Sequence, residues 1–214
     1  MIRLHIRRGL RLAAAGIALV TLCACSALQP SAAPQTFFYT LDGPAITGTA
    51  AVPADAPTLT INTPHAAAGF DSPRMIYIRE THKLEHFAGS AWIDPPARML
   101  TPLLVAAIEN TGAFRAVVQK PGTASGELRL DTEIIRLQQD FRTLPGRARF
   151  TLRAYLVEEK TRRVLAWREF DAAVPVASED PRGSVVAANR AVQLVLENLA
   201  IFCAGEARSL QFAK

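Results

Sequence analysis

Two stretches in the second half of the chain alternate strictly between apolar and polar residues, and this period constrains the fold most. From Glu127 to Ile134, charged residues at the odd positions alternate with leucine, threonine and isoleucine at the even positions. The stretch Arg147–Leu156 alternates in the same way, and Val164–Val174 follows it after a turn at Glu158–Arg163. A period of two is typical of strands with one buried and one solvent-exposed face. The sequence therefore predicts an antiparallel sheet with one wet face.

Shorter β-branched, aromatic and apolar runs predict additional strands. These runs are Thr36–Leu41, Leu59–Ile61, Met75–Arg79 with His82–Phe87 as its hairpin partner, and Ala116–Gln119. A first helix is predicted to begin at Asp94–Pro95, with the carboxylate as N-cap and the proline at the first helical position. Apolar residues between Met99 and Ile108 form a stripe at helical spacing. Pro102 either kinks this helix or marks a restart with Thr101 as a second N-cap.

A second, longer helix is predicted from Asp180–Pro181 to about Ala204, with its apolar residues on one side. Strands, helix, strands and helix in this order indicate a single α+β domain. We expect a mainly antiparallel sheet with two principal helices packed on one face. The domain is predicted to span residues 36–205, and residues 206–214 are predicted to be a C-terminal tail.

The first 25 residues have the plan of a bacterial lipoprotein signal. A positive segment, Met1–Arg11, precedes 13 apolar residues, Leu12–Ala24, a run shorter than the roughly 20 residues that span a membrane. Leu22-Cys23-Ala24-Cys25 resembles a lipobox, in which a small residue precedes the modified cysteine. Cys25 is therefore predicted to carry fatty acids such as palmitate. Residues 1–24 would be the signal peptide, and residues 25–35 the lipidated cysteine with a flexible tether.

The net charge of +5 belongs mostly to this signal. Without the four arginines of residues 1–24, 20 basic residues face 19 acidic ones. A nearly neutral mature chain lacks the electrostatic footprint of a nucleic-acid-binding protein, so nucleic acid is excluded as its default partner. Cys203 would be the single cysteine left after cleavage and lipidation, so the mature domain is predicted to fold without an internal disulfide.

One segment matches a metal-binding pattern. His82, Glu85 and His86 fit the H-x-x-E-H spacing of inverted zinc peptidases, which requires a helix. On the predicted strand, the two histidines would lie about 13 Å apart, too far to share one zinc ion. The chain also has no G-x-S-x-G elbow, P-loop or G-x-G-x-x-G motif. We therefore predict no catalytic residues, no metal and no cofactor, and a protein that is not an enzyme.

Two features are candidates for partner binding. Phe87 and Trp92 precede the first helix and could form an apolar contact surface, although core packing is the alternative. A basic cluster is formed by Arg142, Arg147, Arg149 and Arg153. It is either a solvated face paired with Glu127, Asp131 and Glu133, or a docking patch for an acidic partner or lipid head groups.

The order of these features resembles the ABC-type transport auxiliary lipoproteins, which include the lipoprotein component of Pqi-type, MCE-linked lipid transport systems. The likeness rests on the lipobox, on Phe37–Leu41, Ser72–Arg79 and Ala91–Pro95, and on the paired strands between Arg149 and Arg168. It implies a periplasm-facing domain tethered to a membrane, the outer one more than the inner one. It also implies MCE-type and ABC transporter subunits as partners.

The leading hypothesis is therefore a non-catalytic accessory subunit of an MCE/ABC-type intermembrane lipid transport system. The alternative is an outer-membrane assembly or pilot lipoprotein for a β-barrel or secretin, since such proteins also join a lipid anchor to a small α+β domain. A third hypothesis is a periplasmic metalloenzyme that uses His82, Glu85 and His86. A homo-oligomer is compatible with each of them.

Overall fold

The alternating stretches form three consecutive long strands in the computed structural model, which describes residues 35–43, 52–120 and 126–212. They are β7 (Leu128–Asp140), β8 (Arg147–Glu158) and β9 (Val164–Pro175). β7 pairs with β8 and β8 pairs with β9, each antiparallel and along almost the whole strand. The prediction of an antiparallel sheet is confirmed for this half of the domain.

The opposite edge of β7 pairs with three short strands, one after another along its length. β2 (Thr58–Ile61), β3 (His65–Ala66) and β4 (Arg74–Ile78) all run parallel to it. Chain order is kept, because β2 lies beside the start of β7 and β4 lies beside its end. One long strand therefore organises both halves of the sheet.

Three remaining strands complete the sheet of the described residues. β5 (Glu85–Trp92) pairs antiparallel with β4, and β1 (Phe37–Tyr39) pairs parallel with β5. β6 (Ala116–Gln119) pairs parallel with β2. The predicted single α+β domain is confirmed, with a mixed sheet in which the longest pairings are antiparallel. Alternation reveals a buried face but not the direction of the neighbouring strand, so the parallel pairings had no signal in the sequence.

The first helix, α1 (Pro96–Glu109), begins one residue later than predicted. Pro95 occupies the N-cap position without a side-chain hydrogen bond, and Asp94 pairs with Arg98 at 2.6 Å instead. The helix continues through Pro102, and the Thr101 hydroxyl donates to the Ala97 carbonyl oxygen at 2.9 Å. Thr101 is therefore a residue inside the helix and not a second N-cap.

The second helix, α2 (Pro181–Phe212), is longer than predicted. The carboxylate of Asp180 accepts the Gly183 N–H at 2.8 Å, as expected of an N-cap, and this bond lowers the pKa of Asp180. Residues 206–212, predicted to be a tail, continue the helix, and Ala207 is buried. By length and composition α2 could cross a membrane, but half of its apolar stretch is buried in the protein. It is the main core helix of this domain.

Both helices cover the same side of the sheet and touch each other. α1 packs against β2, β3 and β6, whereas α2 packs against β7, β8 and β9. Between α2 and the long strands lie Phe150, Leu152 and Leu156 of β8 and Leu196 of α2, all fully buried. The prediction of two helices on one face is confirmed, and the opposite face of the long strands remains available to solvent.

Candidate interaction surfaces

The solvent face of β7, β8 and β9 is covered by a network of ion pairs. Asp140 pairs with Arg142 at 2.7 Å, which lowers the pKa of Asp140, and lies 3.9 Å from Arg149. Arg153 bridges Glu133 at 3.5 Å and Glu169 at 2.9 Å. Three arginines of the predicted basic cluster therefore have acidic neighbours within this face.

Among the described residues, the fourth arginine of the predicted cluster and two of the three expected carboxylates are not paired with each other. Arg147 is exposed, and the carboxylates of Glu127 and Asp131 pair with Arg115 and Arg129. Of the three carboxylates expected to neutralise the cluster, Glu133 does so. The face consequently carries little local net charge. The interpretation of the cluster as a solvated face therefore fits the structure better than its interpretation as a docking patch.

The three residues of the metal-binding pattern do not share a face. His82 lies in a turn with a φ of 67°, while Glu85 and His86 are consecutive residues of β5. Consecutive strand residues point to opposite faces of a sheet, and Glu85 pairs with Lys83 at 3.6 Å. Among the described residues, no group of three histidine, cysteine or acidic side chains is arranged to hold a metal ion.

A shallow cavity of about 420 Å³ lies beside His86. Ile76 and Leu84 give it an apolar lining, and Asp71 and Arg74 contribute opposite charges. A cavity of this volume matches a small polar molecule.

Trp92 lies in the core and not at the surface, so the expectation that it forms an exposed contact is wrong. β5 extends to Trp92, where the residue faces Tyr39 of β1 in parallel register. Trp92 is 2% exposed, and its backbone N–H donates to the Pro73 carbonyl oxygen at 2.8 Å. The predicted strand ended at Phe87, so the burial of Trp92 was not predicted from the sequence.

Phe87 is half-buried and belongs to an aromatic cluster. Its ring lies 4.8 Å from Tyr77 and 6.3 Å from Phe141, measured between centroids. The guanidinium of Arg79 lies 5.3 Å from the Phe141 ring and pairs with Glu179 at 3.5 Å. We refer to Tyr77, Phe87, Phe141 and Arg79 as the aromatic cluster. Phe141 was not predicted to join this cluster, because Phe141 lies 54 positions after Phe87 in the chain and follows a different strand.

The first strand presents two adjacent aromatic side chains to solvent. Phe37 and Phe38 are 61% and 60% exposed, although the following residues Tyr39 and Leu41 pack into the domain. Ile93 is 56% exposed and bonds to the end of this strand, because its N–H donates to the Tyr39 carbonyl oxygen at 2.8 Å. We refer to Phe37, Phe38 and Ile93 as the strand-one patch.

The cysteines take separate roles. Cys25 lies outside the described residues, as do nearly all residues of the predicted tether. Cys203 is a free, buried thiol. Its pKa is raised to about 12, mainly because it is buried and to a smaller extent because of the negative charge of Glu206. A thiol held neutral in this way is a poor nucleophile. It acts as a small apolar residue of the core.

The fold is shared with several solved structures of low sequence identity. Protein XCC0632 from Xanthomonas campestris is 24% identical, with a TM-score of 0.69 over 83% of this chain and 97% of that one. The hypothetical protein CT253 from Chlamydia trachomatis is 8% identical, with a TM-score of 0.51 over 71% and 98%. At these identities the likeness establishes the architecture alone. No curated protein matches the chain.

The sequence places this architecture in a known class of envelope proteins. A family model described as the ABC-type transport auxiliary lipoprotein component matches residues 39–200, which is most of the domain from β1 through much of α2. The chain belongs to this family. The resemblance seen in the sequence is thereby confirmed, and the protein is an auxiliary lipoprotein component of ABC-type transport. Such a lipoprotein is anchored to a membrane and faces the periplasm.

Proposed function

We propose that this protein is a non-catalytic accessory subunit of an MCE-linked ABC system that moves lipid between the two membranes of the envelope. The observation that carries this proposal is the family match across residues 39–200, because it covers most of the folded domain and is independent of the signal sequence. The transporter's ATPase, permease and MCE subunits would be separate chains. The domain would contribute binding and position to this assembly.

The anchor is proposed to be a lipidated Cys25 in the outer membrane. Ser26 follows this cysteine, and a serine there is compatible with outer-membrane sorting, whereas an aspartate would favour retention in the inner membrane. Several acyl chains on one cysteine give lasting attachment, since each buried CH₂ contributes about 0.8 kcal/mol. The anchored domain would then meet inner-membrane partners across the periplasm.

Partner recognition is proposed to rest on apolar contact at the aromatic cluster. The mature chain has a net charge near zero, and the charges on the solvent face of the long strands are paired with one another, so long-range electrostatic steering is weak. Phe87 is half-buried, and Arg79 beside it is half-exposed, which leaves an aromatic and cationic edge accessible. Aromatic and arginine side chains are the residues that most often dominate interface energy.

Co-purification from detergent-solubilised envelopes tests this proposal. We expect the tagged full-length protein to retain MCE and ABC subunits, and Phe87→Ala to reduce their yield by about tenfold or more. Leu144→Ala, at an 86% exposed position, is the matched control and should leave the yield unchanged. Recovery of a β-barrel or secretin without MCE subunits would contradict the proposal and support a pilot or assembly lipoprotein instead.

A further inference from the structure

We propose that the strand-one patch, Phe37, Phe38 and Ile93, is a second membrane contact that seats the domain on the surface of the bilayer holding its anchor. The proposal rests on the proposed function in one respect, since it takes the lipidated Cys25 as the anchor. Its occupant is the interfacial layer of lipid head groups and upper acyl chains, contacted through apolar side chains.

The exposure of this patch differs from that of other apolar residues on the domain. Among the described residues, Phe37 and Phe38 are the only neighbouring large hydrophobic residues along the chain that are both exposed. Other exposed examples, such as Leu144, Trp167 and Ile201, are single residues in sequence, and isolated apolar residues are normal on protein surfaces. Two consecutive exposed phenylalanines are the kind of feature that marks an interaction site.

The patch is held rigidly by the fold. Phe37 and Phe38 lie in register with Ser90 and Ala91 of β5, so their side chains project on opposite sides of the first strand. Because β1 is the edge strand of the sheet path, both rings flank its free edge. The following residues are fixed to α2, because Asn189 accepts the Asp42 N–H at 2.8 Å and donates to the Thr40 carbonyl oxygen at 3.3 Å. The backbone beneath the two rings is already ordered, so contact with a membrane interface requires no backbone ordering.

The position of the patch in the chain selects the bilayer as its occupant. Phe37 is 12 positions after Cys25, so even a fully extended tether would reach only about 40 Å from the anchor. Aromatic side chains are enriched at membrane interfaces, and the anchor would hold this patch close to the lipid head groups. The carboxylate next to Ile93 does not oppose this contact, since Asp94 is neutralised by Arg98 at 2.6 Å.

Vesicle sedimentation with an unacylated chain tests the proposal. Residues 26–214 contain the compact unit Thr36–Lys214 and lack the acceptor cysteine. We expect this chain to sediment with phosphatidylcholine vesicles in a manner insensitive to salt, because the contact is apolar. The double variant Phe37→Ser with Phe38→Ser should bind about tenfold or more weakly, whereas Leu144→Ser should bind as the unchanged chain does.

Two further measurements keep the test decisive. The double variant should melt at the unchanged temperature, because both rings are already exposed, so its loss of binding cannot be attributed to unfolding. In a Trp167→Phe background, Phe38→Trp should retain vesicle binding and shift its fluorescence emission to the blue when vesicles are added. An unshifted emission, or equal sedimentation of the double variant and the unchanged chain, would overturn the proposal.

The outcome is separable from that of the proposed function. The vesicle assay contains no transporter subunit and no acyl group, so failure to co-purify MCE subunits leaves its result intact. Conversely, an absence of vesicle binding leaves the co-purification result intact. If the double variant altered self-association in analytical ultracentrifugation and left sedimentation with vesicles unchanged, the patch would be a contact between copies of the chain, and the membrane assignment would be wrong.

Discussion

The side chain of Trp92 is part of the hydrophobic core, where β1 pairs with β5. It is 2% exposed and in register with Tyr39, so truncation leaves a cavity that the surrounding strands cannot fill. We expect Trp92→Ala to lower the free energy of unfolding by about 3–5 kcal/mol, as measured by urea denaturation. Trp167→Ala is the control, because Trp167 is 62% exposed and its stacking on Tyr155 contributes about 1 kcal/mol.

A role for Trp92 in partner binding predicts a different result. In that case Trp92→Ala would retain most of its stability while its affinity per folded molecule fell, and assignment of the indole to the core would be wrong. The residue-scale difference between Trp92 and Phe87 is thus one of burial. Trp92 is enclosed, whereas Phe87 is half-buried beside an exposed guanidinium.

At the scale of elements, Asn189 joins the first strand of the domain to the last helix. We expect Asn189→Ala to remove the hydrogen bonds to Thr40 and Asp42 and to lower the free energy of unfolding by about 1–2 kcal/mol. Amide hydrogen exchange should become faster in residues 37–42. Asn198→Ala is the matched control on the same helix, because the Asn198 side chain donates within the helix, to the Leu194 carbonyl oxygen. Equal protection of β1 in both variants would contradict this role.

The elements also show which parts of the structure were readable from the sequence. β8 and the first part of β7 alternate strictly, β9 follows β8 after a short turn, and α2 has an N-cap carboxylate, so these elements were predicted with the correct type and order. The extent of β5 was not predicted correctly, because Ala88 and Gly89 interrupt its apolar pattern before Trp92. The aromatic cluster and the pairing of Arg153 with Glu169 depend on strand register, which a single sequence does not encode locally.

At the scale of the whole molecule, we propose that membrane attachment depends on Cys25. We expect Cys25→Ser to abolish incorporation of labelled fatty acid and to leave the protein with an uncut signal, because the small residue Ala24 positions the cut before Cys25. Metabolic labelling followed by membrane fractionation checks this outcome. Cys23→Ser is the matched control and should remain lipidated. Labelling of Cys25→Ser would make Cys23 the acceptor.

The central place of β7 has a consequence for how the chain folds during export. Strands β2, β3 and β4 all pair with β7, yet they precede it in the chain by up to about 70 residues. They cannot complete their pairing until residues 128–140 have emerged, and the core beneath β8 is closed only when α2 arrives at the end of the chain. A chain that crosses the inner membrane from its N-terminus would therefore complete this sheet only after residues 128–140 have crossed.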